Sequence, residues 1–183
     1  MKTVFNVPTK EEVSENNKAI FANLEKGLGF VPNLYATYAY NDTALGDYLA
    51  LQNRKSTLTV KEREIINLVV SQVNECQYCL SAHTALGKMN GFSDDQILEI
   101  RTGSVSFNEK YDALAKYVKD SVVNRSKPSE EAVSGLLEAG YTKANIIDII
   151  IVIGDKMISN LIHGTTNIPI DFPLAPELEV VAS

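Results

Sequence analysis

Apolar positions recur along this chain at helical spacing, and each run opens and closes with helix start and stop chemistry. Thr9 with Glu12, Thr59 with Glu62, Ser93 with Gln96 and Ser106 with Glu109 each read as a capping box. In such a box the hydroxyl accepts from an orphan N–H while the Glu or Gln reaches back to the cap. Pro32 suits a first helical position and Asp42 an N-cap, and Gly27, Gly91 and Gly140 fall where helices should stop. No stretch alternates apolar and polar residues with turn dipeptides at its ends, so no strand is expected. The pattern predicts an all-α bundle of about nine helices. They cover 10–26, 32–40, 43–56, 60–73, 76–89, 94–101, 107–124, 129–139 and 143–164.

Gly91–Ile100 (GFSDDQILEI) and Gly140–Ile149 (GYTKANIIDI) match type for type. Each copy is a glycine stop, an aromatic, a Ser or Thr cap and an apolar helix start, which reads as a duplicated helical hairpin. The aromatic can pack on the first isoleucine of the new helix and fix the angle between neighbours. Two similar corners can also arise from good corner chemistry alone. The tail beyond Asn167 carries Pro169, Pro173 and Pro176, which forbid helix and predict an extended segment. The organisation expected is one domain over 1–183: N-terminal helices 1–57, a core 58–165 and the extended tail 166–183.

With 183 residues, 45% hydrophobic and 22% charged, the composition is that of an ordinary globular domain. A net charge of −6 argues against nucleic acid and anionic membranes as partners, since both demand a basic face. The longest apolar run, Ile146 to Ile153, is interrupted by Asp148 and far too short to span a bilayer. The helix Asn145–Ile158 is apolar nearly all round, so it is expected either at the centre or between subunits. The first residues are charged where a signal peptide would be apolar, and the only two cysteines stand together at Cys76 and Cys79. A reducing cytoplasm and a pair kept for its chemistry are expected.

If a helix begins at or just before Cys76, then at about 100° per residue Cys79 lies about 300° and His83 about 340° round from it. The three share one face. Cys79 and His83 are an i,i+4 pair, a spacing that lets a histidine take a proton from a thiol. Cys76 at the first turn feels the helix dipole, which favours a thiolate there. A carboxylate is needed to hold the imidazole, and Glu64 or Glu75 could serve. Glu64 lies about 18 Å back along a straight helix, so it reaches the site only if the chain turns at Asn74-Glu75. Two structural thiols, a packing histidine and a solvated Glu62-Arg63-Glu64 helix start are the plainer readings of the same residues. Tyr78 can donate a proton or simply pack, and His163 reads as a partner for the C-terminal dipole of the last helix.

Glu64, Cys76, Cys79 and His83 fill the pattern E-x(11)-C-x(2)-C-x(3)-H. With FVPNLYATY before it, LTVKEREIINLVVSQVNEC leading into it and a D-F-P tail behind, the chain over about residues 28–175 resembles the AhpD-like branch of the carboxymuconolactone decarboxylase family. The resemblance implies an AhpD-like all-α fold, assembly into trimers or hexamers, and antioxidant thiol-dependent peroxidase or disulfide reductase activity with no cofactor or metal. It also implies roles. Cys79 takes the peroxide oxygen as a sulfenic acid, Cys76 resolves it into a disulfide, and Glu64 and His83 relay protons. The substrate is then a hydroperoxide and the electron donor a thiol or dithiol, protein-borne or lipoyl-type. The best-known members carry a histidine just before the second cysteine, where this chain has Tyr78. The alternatives are a redox-sensing or scaffold oligomer of low activity, a lactone decarboxylase, whose usual members lack the cysteine pair, and a zinc site.

Overall fold

A computed structural model describes residues 5–178. Among the described residues there are nine α-helices and no strand: α1 (Glu15–Leu28), α2 (Asn33–Tyr38), α3 (Ala44–Gln52), α4 (Val60–Val73), α5 (Gln77–Met89), α6 (Asp94–Thr102), α7 (Glu109–Val123), α8 (Glu130–Glu138) and α9 (Lys143–Thr166). The all-α expectation holds, and most departures are at helix ends, where several chemistries compete.

Glu12 Oε2 does accept from Thr9 N–H at 2.7 Å, but Glu12 N–H donates to the Thr9 carbonyl rather than its hydroxyl, and the pair closes an isolated turn. Ser14 caps α1 instead, accepting from Asn17 N–H. The helix then runs through Gly27 and stops at Gly29, whose φ of 86° is the left-handed conformation that glycine takes cheaply. Asn41, rather than Asp42, serves the start of α3, its Oδ1 accepting from Thr43 and Ala44 N–H. Pro32 sits one residue before the first helical position, and Asn108 displaces Ser106 as the cap of α7 by accepting from Tyr111 N–H at 2.9 Å. An Asx side chain reaches the orphan donors as readily as a hydroxyl, so it wins where it stands closer.

The chain divides into two compact units. In the first, Met1–Lys55 with Leu161–Asp171, the fully buried Asn17 donates to the carbonyls of Ala39 and Asn41, tying α1 to the turn between α2 and α3. Tyr38 stacks on Tyr48 with ring centroids 4.4 Å apart. The Asp171 carboxylate accepts from Asn33 N–H at 2.7 Å, an anion at the N-terminus of α2.

The second unit, Ser56–Asn160 with Phe172–Ser183, is built round α4. Both bonds of the Thr59–Glu62 capping box form, and the helix then becomes apolar on every side. Ile65, Ile66, Leu68, Val69 and Val70 are all solvent-free, because α5, α6 and α7 surround α4. The two copies of the repeat build matching corners. Gly91 and Gly140 take positive φ of 85° and 88°, Ser93 and Thr142 cap α6 and α9, and Phe92 and Tyr141 enter the same core. α9 is less enclosed than its composition predicts. Ile147, Ile150, Ile158 and Leu161 remain 41–64% exposed.

Candidate active site

The site begins with a chain reversal. α4 ends at Val73, and Glu75 takes φ of 53°, the left-handed region that side chains seldom occupy. Cys76 N–H then donates to Ser71 O at 2.9 Å, and Cys76 becomes the N-cap of α5 rather than a helical residue. Its Sγ accepts from Cys79 N–H at 3.4 Å, as a serine cap would. The reversal folds α5 back along α4, so that Glu64 near the start of one helix meets His83 in the middle of the other. Nδ1 of His83 and Oε2 of Glu64 are 2.8 Å apart, with both side chains buried. An ionised carboxylate only accepts, so Nδ1 carries the imidazole proton and Nε2 keeps its lone pair. Glu75 stays exposed, which decides between the two carboxylates.

The cysteines are both free and buried, with Sγ atoms 2.7 Å apart. Tyr78, between them, packs edge-on against Phe172 with ring centroids 5.8 Å apart. The tail lies along α5: Ala175 N–H donates to Ser81 Oγ, Gln77 donates to Ala175 O, and Arg101 donates to Pro176 O. These bonds hold the extended segment that the three prolines predict.

Three residues of the site have no place in the sequence motif. Asp155, Lys156 and Asn160 lie on α9, and all are buried. Asn160 Oδ1 accepts from Asn74 Nδ2 at 2.8 Å, at the reversal itself, and its Nδ2 donates to Ser71 Oγ. Charged residues inside an otherwise apolar helix were the available signal. Such groups are rarely buried without a task.

The electrostatics separate the two thiols. Cys79 is lowered to about 7, first because the Cys76 S–H donates to its sulfur, with the Lys156 charge and the Asn160 amide adding to this. Burial and Asp155 oppose the shift. Cys76 is pushed well up by that same donation and by burial. The helix dipole therefore does not make Cys76 the thiolate: its single 3.4 Å bond from Cys79 N–H is outweighed. Burial pushes His83 down, and Lys156 adds to this while Glu64 opposes it, so the imidazole is neutral near pH 7. His163 lies in the last turns of α9. Burial pushes it down too, against the charged form that a dipole partner needs. Among the described residues no group of three or more His, Cys, Asp or Glu side chains is placed to hold a metal ion.

Residues 37–119 match the profile of the carboxymuconolactone decarboxylase family. The matched segment resembles that family. No curated protein sequence matches the chain significantly. Among solved structures, the chain is similar to the alkylhydroperoxidase AhpD core of an uncharacterized peroxidase-related protein from Ralstonia eutropha JMP134. The TM-score is 0.82 at 20% identity, covering 92% of each chain. A peroxidase-related protein from Silicibacter sp. TM1040 gives 0.80 at 23% identity, covering 97% of this chain and 94% of the other. The debrominase Bmp8 gives 0.78 at 18% identity, covering 93% and 94%. These likenesses establish the AhpD-like fold of the chain.

Proposed function

We propose that this chain is a thiol-dependent peroxidase that reduces hydroperoxides through the Cys76–Cys79 pair, as a disulfide-forming antioxidant enzyme of the reducing cytoplasm. The observation that carries the reading is the pair itself: two sulfurs in contact, one an acid and one a thiolate near neutral pH, one helical turn from a neutral histidine held by Glu64.

In the first step the Cys79 thiolate attacks the distal oxygen of the hydroperoxide. An S–O bond forms, the O–O bond breaks, and the departing alkoxide takes a proton from solvent, passed through Nε2 of His83 while Glu64 at Nδ1 stabilises the transient imidazolium. In the second step the Cys76 sulfur attacks the Cys79 sulfenic acid. An S–S bond forms, the S–O bond breaks, and water leaves with the Cys76 proton. A thiol or dithiol donor, protein-borne or lipoyl-type, then reduces the disulfide by exchange.

One equivalent of an organic hydroperoxide added to the reduced protein is expected to remove two free thiols per chain, and dithiothreitol should restore both. A count that stays at two, with no bridged peptide by mass spectrometry, would return the chain to the scaffold reading.

The same proposal makes the protein a homo-oligomer, a trimer or hexamer. Ile147, Ile150, Ile158 and Leu161 fall within about 80° of one another round α9, so they form a single apolar stripe. Gly154 lies in that stripe, and beside it there is only open space. Exposed apolar surface of this continuity is characteristic of a protein interface. Light scattering at micromolar concentration is expected to give a multiple of the 20.1 kDa chain mass, and Ile150→Asp should lower it.

A further inference from the structure

A pocket of about 460 Å³ lies between the end of α7 and the middle of α9, and Asn74 of the chain reversal forms part of its lining. That volume is in the range of small-molecule sites. Val122 and Pro128 line it from one side, and Ile150, Ile153 and Met157 from the other. The three α9 residues fall within about 60° round the helix, so they present one continuous apolar wall. Arg125 also lines the pocket, but it is exposed, and an exposed guanidinium adds little to a complex in water. The walls therefore select an apolar body.

Asn74 supplies a hydrogen-bond donor to this lining. Its side-chain amide nitrogen donates to Asn160 Oδ1 at 2.8 Å and to Met157 Sδ at 2.9 Å. A thioether sulfur is a weak acceptor, so a ligand oxygen can take its place at Nδ2 with a gain. Asn74 and Cys76 are two residues apart along the chain, which puts their Cα atoms at most about 7 Å from each other. The sulfur of Cys79 is in turn 2.7 Å from that of Cys76. An apolar pocket with a replaceable donor thus adjoins the thiol pair.

We propose that this pocket binds the organic group of a compact aryl or branched-alkyl hydroperoxide, with the Asn74 amide donating to a peroxide oxygen. The proposal deepens the peroxidase reading and rests on it for the reaction, while the binding itself is tested without any peroxide. It makes the chain selective, because hydrogen peroxide has no apolar group to leave water for these walls.

The probe is cumyl alcohol, the product left when cumene hydroperoxide is reduced, added to the full reduced chain with isotope-labelled methionine methyls. The chain has three methionines, of which Met157 lines the pocket while Met89 is 81% exposed. The Met157 methyl resonance, assigned by its loss in Met157→Leu, should shift saturably while that of Met89 stays in place. Thiol loss is then followed with cumene hydroperoxide and with hydrogen peroxide. Val122→Phe fills the pocket from α7 and lies outside the α9 stripe. It should lower the ratio of the two rates about ten- to a hundredfold, the range for burial of an aryl group. Ile153→Ala, which removes wall instead of adding to it, should weaken alcohol binding and lower the same ratio by less. A Met157 resonance that does not move would overturn the proposal, as would methyls that all move together or an unchanged ratio in both variants. If Met157 stays still while both peroxides consume two thiols, the peroxidase reading stands without the pocket. If Met157 shifts but neither peroxide consumes thiols, the binding stands and the peroxidase reading falls.

Discussion

Cys79→Ser is expected to abolish hydroperoxide turnover, while Cys76→Ser should still form a sulfenic acid that a dimedone probe captures on Cys79. The two substitutions are isosteric but chemically unequal. A serine at 76 keeps a hydroxyl that can donate to the Cys79 sulfur, so the thiolate survives and only the resolving step is lost. A serine at 79 removes the nucleophile, and leaves at 76 a thiol that burial disfavours as an anion. Its residual rate should be that of the protein-free reaction, with no probe adduct at all. The measurement is intact mass after equimolar hydroperoxide in the presence of the probe. An adduct on Cys76 in the Cys79→Ser protein, and none on Cys79 in the converse variant, would reverse the assignment.

The second large effect is expected at His83. A general base within reach of the reacting group contributes about 10²–10⁴-fold in rate, and His83→Ala should lose an amount in that range at pH 7. Glu64→Gln should lose less, because it keeps the imidazole and weakens only the bond at Nδ1. The double variant should be little slower than His83→Ala alone, since Glu64 acts through the histidine. The pH profile separates these effects. Rate should fall as pH drops through about 7, where the Cys79 thiolate takes up a proton. Because burial holds His83 below its ordinary value, imidazole protonation comes lower still. Glu64→Gln removes a charge that favours the imidazolium, so it moves that second limb further toward acid. Initial rates between pH 5 and 8 test both limbs.

Much of this site is legible from spacing. Cys79 and His83 lie on one short helix with Cys76 as its cap, where position along the chain fixes position in space, and the left-handed Glu75 that turns the chain stands where a helix break is expected. Spacing alone does not choose between Glu64 and Glu75. That choice depends on how α5 lies against α4, which is decided by the burial of Ile65, Ile66 and Val69. The order of the two thiols is likewise hidden from local reasoning. The helix dipole is a local term worth about 0.3–1 kcal/mol, and it points to Cys76. A neighbouring S–H and a lysine 77 positions further along the chain point to Cys79, and they prevail over its burial.

The helix ends divide along the same line. Thr59, Ser93 and Thr142 cap the helices that their own sequences predict, because both partners of each bond lie within three residues. Thr9 and Ser106 have the same local pattern and cap nothing, because Ser14 and Asn108 stand closer to the helices that pack. The all-α class, the repeated glycine–aromatic corner and the CxxC–His face follow from the sequence by itself, since hydrogen bonds and apolar periodicity over a few residues determine them. The Glu64–His83 pair, the buried Lys156 and the exposed stripe of α9 follow only from tertiary packing. Each depends on residues distant in sequence being brought together or left bare, and burial, which sets the cost of a charge, is a property of the folded chain as a whole.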